Sequence, residues 1–165
     1  NLKKNIIFIK SNALTFLKLT NKKFDLILIK QTIHFFDKNE LNKLLVLMKK
    51  KLNNKGKILI FSLKNEQNEL PTFKVMKKKL NISLRRDKYL NQIIKKNLLK
   101  YKKNTFKFKV SVTKKKYIDM IRKKFISCLL NFSKKEIKLG VVEIKSKYKK
   151  NIIFNDNLDC LIFQN

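Results

Sequence analysis

A short polar segment that contains the only histidine of the chain is the first candidate for chemistry. Lys30, Gln31 and Thr32 follow an apolar stretch at residues 24–29, and His34 comes shortly after them. An unperturbed histidine titrates near neutrality, so His34 is a weak candidate for a general base and a candidate substrate contact. The alternative interpretation is a histidine packed at the entry of a helix, with one ring nitrogen hydrogen-bonded.

The residues on both sides of this segment predict a strand, a helix and a second strand. Residues 24–29 form a short apolar run rich in β-formers, as expected for a strand covered on both faces. Asp37 and Glu40 have the spacing of a capping box at a helix start. The helix behind them presents one apolar face, which consists of Leu41, Leu44, Leu45, Met48 and Leu52.

Residues 53–56 predict the end of this helix, with Gly56 as the residue of left-handed conformation. Residues 57–61 are a second apolar strand. A strand, a helix and a strand with short connections form a βαβ unit, so the two strands should be parallel. Ligands of open α/β sheets bind beyond the carboxyl ends of the strands, which places Lys30, Gln31 and His34 at the binding end.

The rest of the chain predicts an α/β domain with a mixed sheet. Strict alternation at residues 105–112 indicates a half-buried antiparallel strand, and Ser133 with Glu136 indicates a second capping box. The other predicted elements are strands at residues 5–10 and 158–163, and helices at residues 72–80, 86–99, 117–130 and 133–147. Asn12 follows the first strand, where asparagine favours a turn.

Two segments carry a resemblance to a known family. Residues 24–36, FDLILIKQTIHFF, with the leucine-rich helix and residues 57–61, resemble the second half of a class I S-adenosylmethionine-dependent methyltransferase. Residues 117–136, YIDMIRKKFISCLLNFSKKE, resemble the helical insertion that small-molecule methyltransferases carry between their sixth and seventh strands. The resemblance covers essentially the whole chain, although no GxGxG turn is present.

The resemblance implies a Rossmann-like fold, a cofactor and a set of site residues. The family's strand order is 3-2-1-4-5-7-6, with antiparallel last strands and a helical lid, here at about residues 114–148. S-adenosylmethionine is the implied cofactor, and a small molecule is the implied methyl acceptor. The implied cofactor contacts are Asn12, Ala13, Lys30, Gln31 and Thr32, and the implied substrate contacts are His34, Tyr117 and Arg122. The alternative for Tyr117 and Arg122 is a packing helix whose polar groups face water.

The missing glycine turn leads to three expectations about the chain as a whole. Residues 1–165 are interpreted as one N-terminally truncated methyltransferase domain, a fragment of a cytoplasmic enzyme. The fragment alone should not bind S-adenosylmethionine, because the glycine turn and the ribose-binding acid of the family are absent. The free edge of the strand at residues 24–29 could then recruit residues 5–10 directly.

The net charge of +31, from 42 Lys and Arg against 11 Asp and Glu, allows a second class of function. A basic nucleic-acid-associated protein without catalysis is one alternative, and a methyltransferase-like fold without cofactor binding is another. The predominance of lysine over arginine also fits a drift in composition, with only nonspecific attraction of polyanions.

Cys128 and Cys160 lack metal-like spacing and predict free thiols. No apolar run is long enough to span a membrane, so no membrane partner is expected.

Overall fold

The computed structural model describes residues 6–64, 66, 68–98 and 100–164. The elements follow one another as α1 (Ala13–Leu19), β1 (Phe24–Lys30), a 3-10 turn (Ile33–Phe35), α2 (Lys38–Lys50), β2 (Leu52–Leu63), α3 (Lys74–Asn97), β3 (Tyr101–Thr113), α4 (Lys114–Arg122), a second 3-10 turn (Ser127–Leu129), α5 (Lys134–Lys147) and β4 (Asn151–Gln164). None of the helices in these ranges combines the length and the apolar character of a membrane-spanning segment.

The four strands form one mixed sheet in the order β1-β2-β4-β3. β1 and β2 are parallel, with Leu28 opposite Leu59. β4 is antiparallel to both of its neighbours, β2 and β3. These pairings confirm the predicted parallel pair, the predicted antiparallel pair and the predicted place of the last strand.

The expectation that β1 is covered on both faces is wrong. Leu26 and Leu28 remain 52% and 53% exposed, whereas Ile27 and Ile29 are half-buried, so one face of this end strand is left uncovered. Residues 6–10 form no strand, and their apolar side chains are exposed. They do not pair with β1, contrary to the expected recruitment; Asn5 lies outside the described residues. The described chain therefore leaves the outer edge of β1 without a partner strand.

The capping box predicted for α2 is present. The Glu40 N–H donates to Asp37 Oδ1 at 2.8 Å, and the Asp37 N–H donates to Glu40 Oε2 at 3.0 Å. The predicted apolar face is buried as far as Met48, but Leu52 already belongs to β2. The assignment of Gly56 to the left-handed region is wrong, since Lys55 has the positive φ of 63°.

Gly56 has a different role in β2. Phe24 and Leu26 of β1 pair with Leu52 and Lys57 of β2. Only Asp25 lies between the two residues of β1, whereas residues 53–56 lie between their partners, so β2 bulges there. A Cβ atom at Gly56 would come within 2.8 Å of Leu52 Cγ and 2.9 Å of the Asn53 carbonyl oxygen. Glycine is therefore required at this position, because a side chain would clash with Leu52 and the Asn53 carbonyl.

The two helices predicted at residues 72–80 and 86–99 are one helix, α3. Met76, Leu80, Leu84 and Leu90 are buried along one face. The apolar spacing continues through residues 81–85, and no glycine or proline interrupts it, so the helix has no reason to break there.

Two further expectations are corrected in the second half of the chain. β3 is longer than the predicted strand and mostly exposed on both faces, because it is the other end strand of the sheet. The helix predicted at residues 117–130 ends at Arg122, and Lys124 follows with a φ of 51°. The helix that begins after Ser133 is confirmed as α5, with its capping box.

The buried side chains form two clusters. The first packs α1 and α2 against β1 and β2, and includes Leu90, Ile93 and Ile94 of α3. The second packs α4 and α5 around Tyr117 and includes Met76 of α3. β4 also contributes to both, through Ile152 in the second cluster and Phe163 in the first. α3 and β4 therefore hold the two clusters together.

Candidate ligand pocket

The polar segment after β1 turns toward the carboxyl end of β2. Gln31 has a φ of 53°, and its N–H donates to the carbonyl of Phe61 in β2 at 2.8 Å. Thr32 precedes the 3-10 turn that holds His34. The turn therefore places the histidine at the end of the sheet where ligands of parallel strands are bound.

A cavity of about 310 Å³, called the junction pocket here, lies at this end of the sheet. The strand ends contribute Gln31, Ile33, His34, Phe35, Ser62 and Leu63. One face of α3 contributes Leu80, Ser83, Leu84 and Asp87. The segment after α4 contributes Lys124, Phe125, Ile126, Ser127, Cys128 and Leu130. The part of the chain predicted as a lid thus meets the predicted active-site turn.

Two polar groups of this pocket have no hydrogen-bond partner among the residues that the structure describes. They are His34 Nε2 and Asp87 Oδ1, both buried atoms. Burial lowers the pKa of His34 and is partly offset by the charge of Asp87. Burial raises the pKa of Asp87, with smaller opposing effects from His34 and Arg86. Each group influences the other, and both face a space large enough for a ligand.

Two cations near the pocket, Lys124 and Arg86, donate hydrogen bonds to main-chain carbonyls. Lys124 Nζ donates to the Leu130 carbonyl at 2.8 Å, and Arg86 Nη2 donates to the Phe36 carbonyl at 3.3 Å. Burial raises the pKa of the Cys128 thiol to about 11, so this group is a protonated thiol near neutrality rather than a nucleophile. Asp87 is therefore the distinctive chemical group of the pocket.

A second cavity, the β1 groove, has a volume of about 490 Å³ and runs along α1, β1 and α2. Of the residues predicted to bind a cofactor, Ala13, Lys30 and Thr32 line this groove. Gln31 lines the junction pocket instead. Asn12 caps α1: the N–H groups of Leu14 and Thr15 donate to its Oδ1, at 2.8 and 3.4 Å. The structure therefore divides the predicted cofactor residues among three places.

The two residues predicted to contact a substrate from the lid lie outside the junction pocket. Tyr117 is fully buried in the second cluster, and its hydroxyl donates to the Pro71 carbonyl at 2.6 Å. Burial is the main reason that the pKa of Tyr117 is raised far above its ordinary value. Arg122 is exposed and pairs with Asp119 at 2.9 Å. His34 is the one predicted substrate residue that lines the pocket.

The described residues do not fit S-adenosylmethionine. The β1 groove is lined almost entirely by apolar side chains, and no acidic residue lines it to bind a ribose. The Oδ1 atom of Asn12 is already used in the α1 cap. Neither glycine has a positive φ, and neither lines the groove. Within residues 6–64, 66, 68–98 and 100–164, no cluster of His, Cys, Asp and Glu could hold a metal ion either.

Asp87 is the pocket residue that the sequence interpretation missed. It lies between Leu84 and Leu90 on the apolar face of α3, where the helical spacing calls for a leucine. An acid at such a position is a recognisable signal, since charged residues are almost never fully buried unless they are paired. A helix that begins at residue 86 places Asp87 in its first turn, where an acidic residue is ordinary, so the two-helix interpretation hides this signal.

The chain was compared with protein families, curated proteins and solved structures. No family model matches it, and no curated protein is significantly similar. Among solved structures it is similar to Haemonchus contortus phosphoethanolamine N-methyltransferase 2 in complex with phosphomonomethylethanolamine and S-adenosylhomocysteine. The identity is 16% and the TM-score 0.37; the likeness covers 84% of this chain and 32% of that one. The chain thus spans about a third of that structure, at a TM-score too low to establish a common fold.

Proposed function

We propose that this chain is the acceptor-binding part of an S-adenosylmethionine-dependent methyltransferase that acts on a small molecule. The observation that carries the proposal is the position of the junction pocket. It lies at the carboxyl ends of the two parallel strands of a sheet ordered β1-β2-β4-β3. That order, with its antiparallel last strand, is the 4-5-7-6 half of the order that the family resemblance implies.

The open edge of β1 supports the same proposal. In the implied order, the strand that carries the glycine turn is hydrogen-bonded to the strand that corresponds to β1. Leu26 and Leu28 are about half exposed along this edge, and the β1 groove beside them is apolar. Exposed apolar strands at a sheet edge are suited to pairing with further strands. The methyl donor is then bound mainly by residues other than those described.

Calorimetric titration with S-adenosylhomocysteine tests this proposal. We expect no binding at micromolar concentrations to the 165-residue chain. We expect micromolar binding to the protein encoded by the complete reading frame that contains this sequence, because a glycine turn and a ribose-binding acid are needed to hold the cofactor. Radioactive methyl transfer from S-adenosylmethionine to a mixture of small acceptors then measures the activity.

Two results would contradict the proposal. The first is micromolar binding of S-adenosylhomocysteine to the 165-residue chain, since the described residues contain no site for it. The second is a complete reading frame whose product binds no cofactor at all. That outcome favours a methyltransferase-like fold that has another task.

A second candidate function rests on a separate surface. The rings of Phe106 and Phe108 on β3 are nearly parallel, with an interplanar angle of 11° and centroids 6.4 Å apart. Phe108 is 52% exposed, and Lys102, Lys107 and Lys109 of the same end strand are also exposed, Lys102 on the face of the two rings and the other two on the opposite face. Exposed aromatic rings among lysines can stack on the bases of single-stranded nucleic acid while the charges contact its phosphates. A basic nucleic-acid-associated protein is therefore the alternative.

An oligouridine titration separates the two functions. Under the first proposal the oligonucleotide is held by charge alone, so three lysine contacts predict on the order of 20-fold weaker binding at about 200 mM than at about 50 mM salt. The substitution Phe108→Ala should then leave the affinity unchanged. A loss of about tenfold or more in that variant would show base stacking and would favour the alternative function. Val46→Ala, at an exposed position on α2, is the matched control.

A further inference from the structure

The geometry points to the junction pocket as a binding site for a small amine with an apolar body, whose ammonium group donates hydrogen bonds to the Asp87 carboxylate. Asp87 is 6% exposed, and its Oδ1 atom has no partner within the described structure. It lies on the face of α3 that lines the pocket, one helical turn from Ser83 and Leu84. A buried acceptor atom thus borders an open space.

The surroundings of Asp87 favour a cationic ligand. The chain has 42 Lys and Arg residues, yet the salt bridges found among the described residues join Lys103 to Asp159 and Arg122 to Asp119. Burial of a carboxylate oxygen without a partner costs desolvation free energy, and a cation or a hydrogen-bond donor offsets this cost. An ammonium group supplies both, through short charge-assisted hydrogen bonds.

The other charged groups around Asp87 do not supply this donor. No hydrogen bond joins His34 on the neighbouring turn to Asp87 in the described structure, since His34 Nε2 and Asp87 Oδ1 are both without a partner. Burial lowers the pKa of His34, so its neutral ring does not repel an ammonium group. Arg86, next to Asp87 on α3, reaches outward to the Phe36 carbonyl. Lys124, across the pocket, reaches the Leu130 carbonyl. An anionic ligand would be repelled by the Asp87 charge, and the cation in the described lining, Lys124, already donates one of its N–H groups to the Leu130 carbonyl.

The rest of the lining fits the apolar body of such an amine. Apolar side chains from three parts of the chain line the cavity: Leu80 and Leu84 of α3, Phe125 and Ile126 after α4, and Phe35 of the 3-10 turn. A volume of about 310 Å³ is at the lower end of the range for ligand pockets, so the ligand is small. Aromatic rings also stabilise a nearby ammonium group.

The binding of the amine stands independently, and its identification as the class of methyl acceptor rests on the proposed function. The two are separable because the pocket lies in the described chain, whereas the cofactor does not fit there. If the pocket binds the amine but the product of the complete reading frame has no cofactor site, the methyltransferase proposal fails and the amine-binding proposal stands. If the protein transfers methyl groups but the pocket binds no amine, the amine-binding proposal fails and the methyltransferase proposal stands.

Ligand-observed and protein-observed NMR of the 165-residue chain tests the inference, with 2-phenylethylamine as the probe. We expect the amine to bind with millimolar affinity and to shift the His34 ring signals. The uncharged 2-phenylethanol should bind at least about tenfold more weakly than the amine. Asp87→Asn keeps the shape of the side chain and removes its charge, so the amine should bind at least about tenfold more weakly. Asp119→Asn, at an exposed acid, is the matched control and should bind like the wild type.

A variant that fills the cavity keeps the test decisive if Asp87→Asn is poorly folded. Ser83→Phe places a ring in the pocket from the same face of α3, and should abolish the shifts while Ile82→Phe, at an exposed position, should not. Equal binding of amine and alcohol, unchanged binding by a folded Asp87→Asn variant, or no binding of the amine by the folded wild type would each overturn the inference.

Discussion

Exchange of Asp87 for leucine should raise the free energy of unfolding at pH 7 by about 1–3 kcal/mol, although it removes the distinctive polar group of the pocket. The carboxylate is buried beside Leu84 and Leu90 without a salt bridge in the described structure. Leucine has a similar size and continues the apolar face of α3. Urea denaturation of both proteins measures the difference from the transition midpoints.

The stability gain should shrink in acid. Burial raises the pKa of Asp87 in the folded state above its ordinary value of 3.8. The folded state therefore binds a proton more readily than the unfolded state, and the cost of the charge is present above the raised pKa and absent below 3.8. The difference between the two proteins thus falls as the pH drops through this window. Loss of the Asp87 charge, which raises the pKa of His34, lowers that pKa further in the variant, so the change at His34 also reduces the gain in acid.

An exposed acid provides the control for this experiment. Asp119→Leu removes a carboxylate that is about half exposed and paired with Arg122. Surface changes of this kind alter stability by roughly 0.5 kcal/mol or less. If Asp87→Leu destabilises the protein at pH 7, or if its effect does not depend on pH, the carboxylate has a partner and the argument for an open acceptor fails.

The substitution Phe73→Ala should lower the free energy of unfolding by about 3–5 kcal/mol. Phe73 is buried just before α3, where its ring packs edge-to-face on Phe132 with centroids 5.7 Å apart. Its other neighbour is Gly140 of α5: a Cβ atom there would come within 2.6 Å of three ring carbons. Gly140→Ala should therefore cost about 1–3 kcal/mol by overpacking, against the usual preference of helices for alanine.

A double-mutant cycle isolates this contact. Once Phe73 is replaced by alanine, the space next to Gly140 is free, and Gly140→Ala should become neutral or stabilising by up to about 1 kcal/mol. Val142→Ala, at an exposed position of α5, controls for helix propensity. Additive effects of the two substitutions in thermal unfolding would show that the ring of Phe73 can move away from α5 without cost.

Patterns within a single element allowed correct predictions of much of the fold. The capping boxes at Asp37 and Ser133 and the parallel pair β1 and β2 follow from spacing along the chain. His34 was placed at the carboxyl end of β1 for the same reason, because the turn follows the strand directly.

Features that depend on neighbours distant in sequence could not be predicted in this way. The apolar run of β1 reads as a buried strand, but its exposure depends on the sheet ending there. The conformation of Lys55 and Gly56 depends on the bulge opposite Asp25. The family resemblance implied a lid role for Tyr117, and only the fold shows that its hydroxyl donates to the Pro71 carbonyl.

The continuity of α3 has a consequence for how this protein can diversify. The helix has 24 residues and a length of about 36 Å; its ends are buried in different clusters. Leu80, Ser83, Leu84 and Asp87 lie between those ends and belong to neither cluster. Selection can therefore exchange these four side chains, and with them ligand preference, while the residues that hold the fold stay constant. Homologous chains that differ in ligand should differ first on this one stretch of helix.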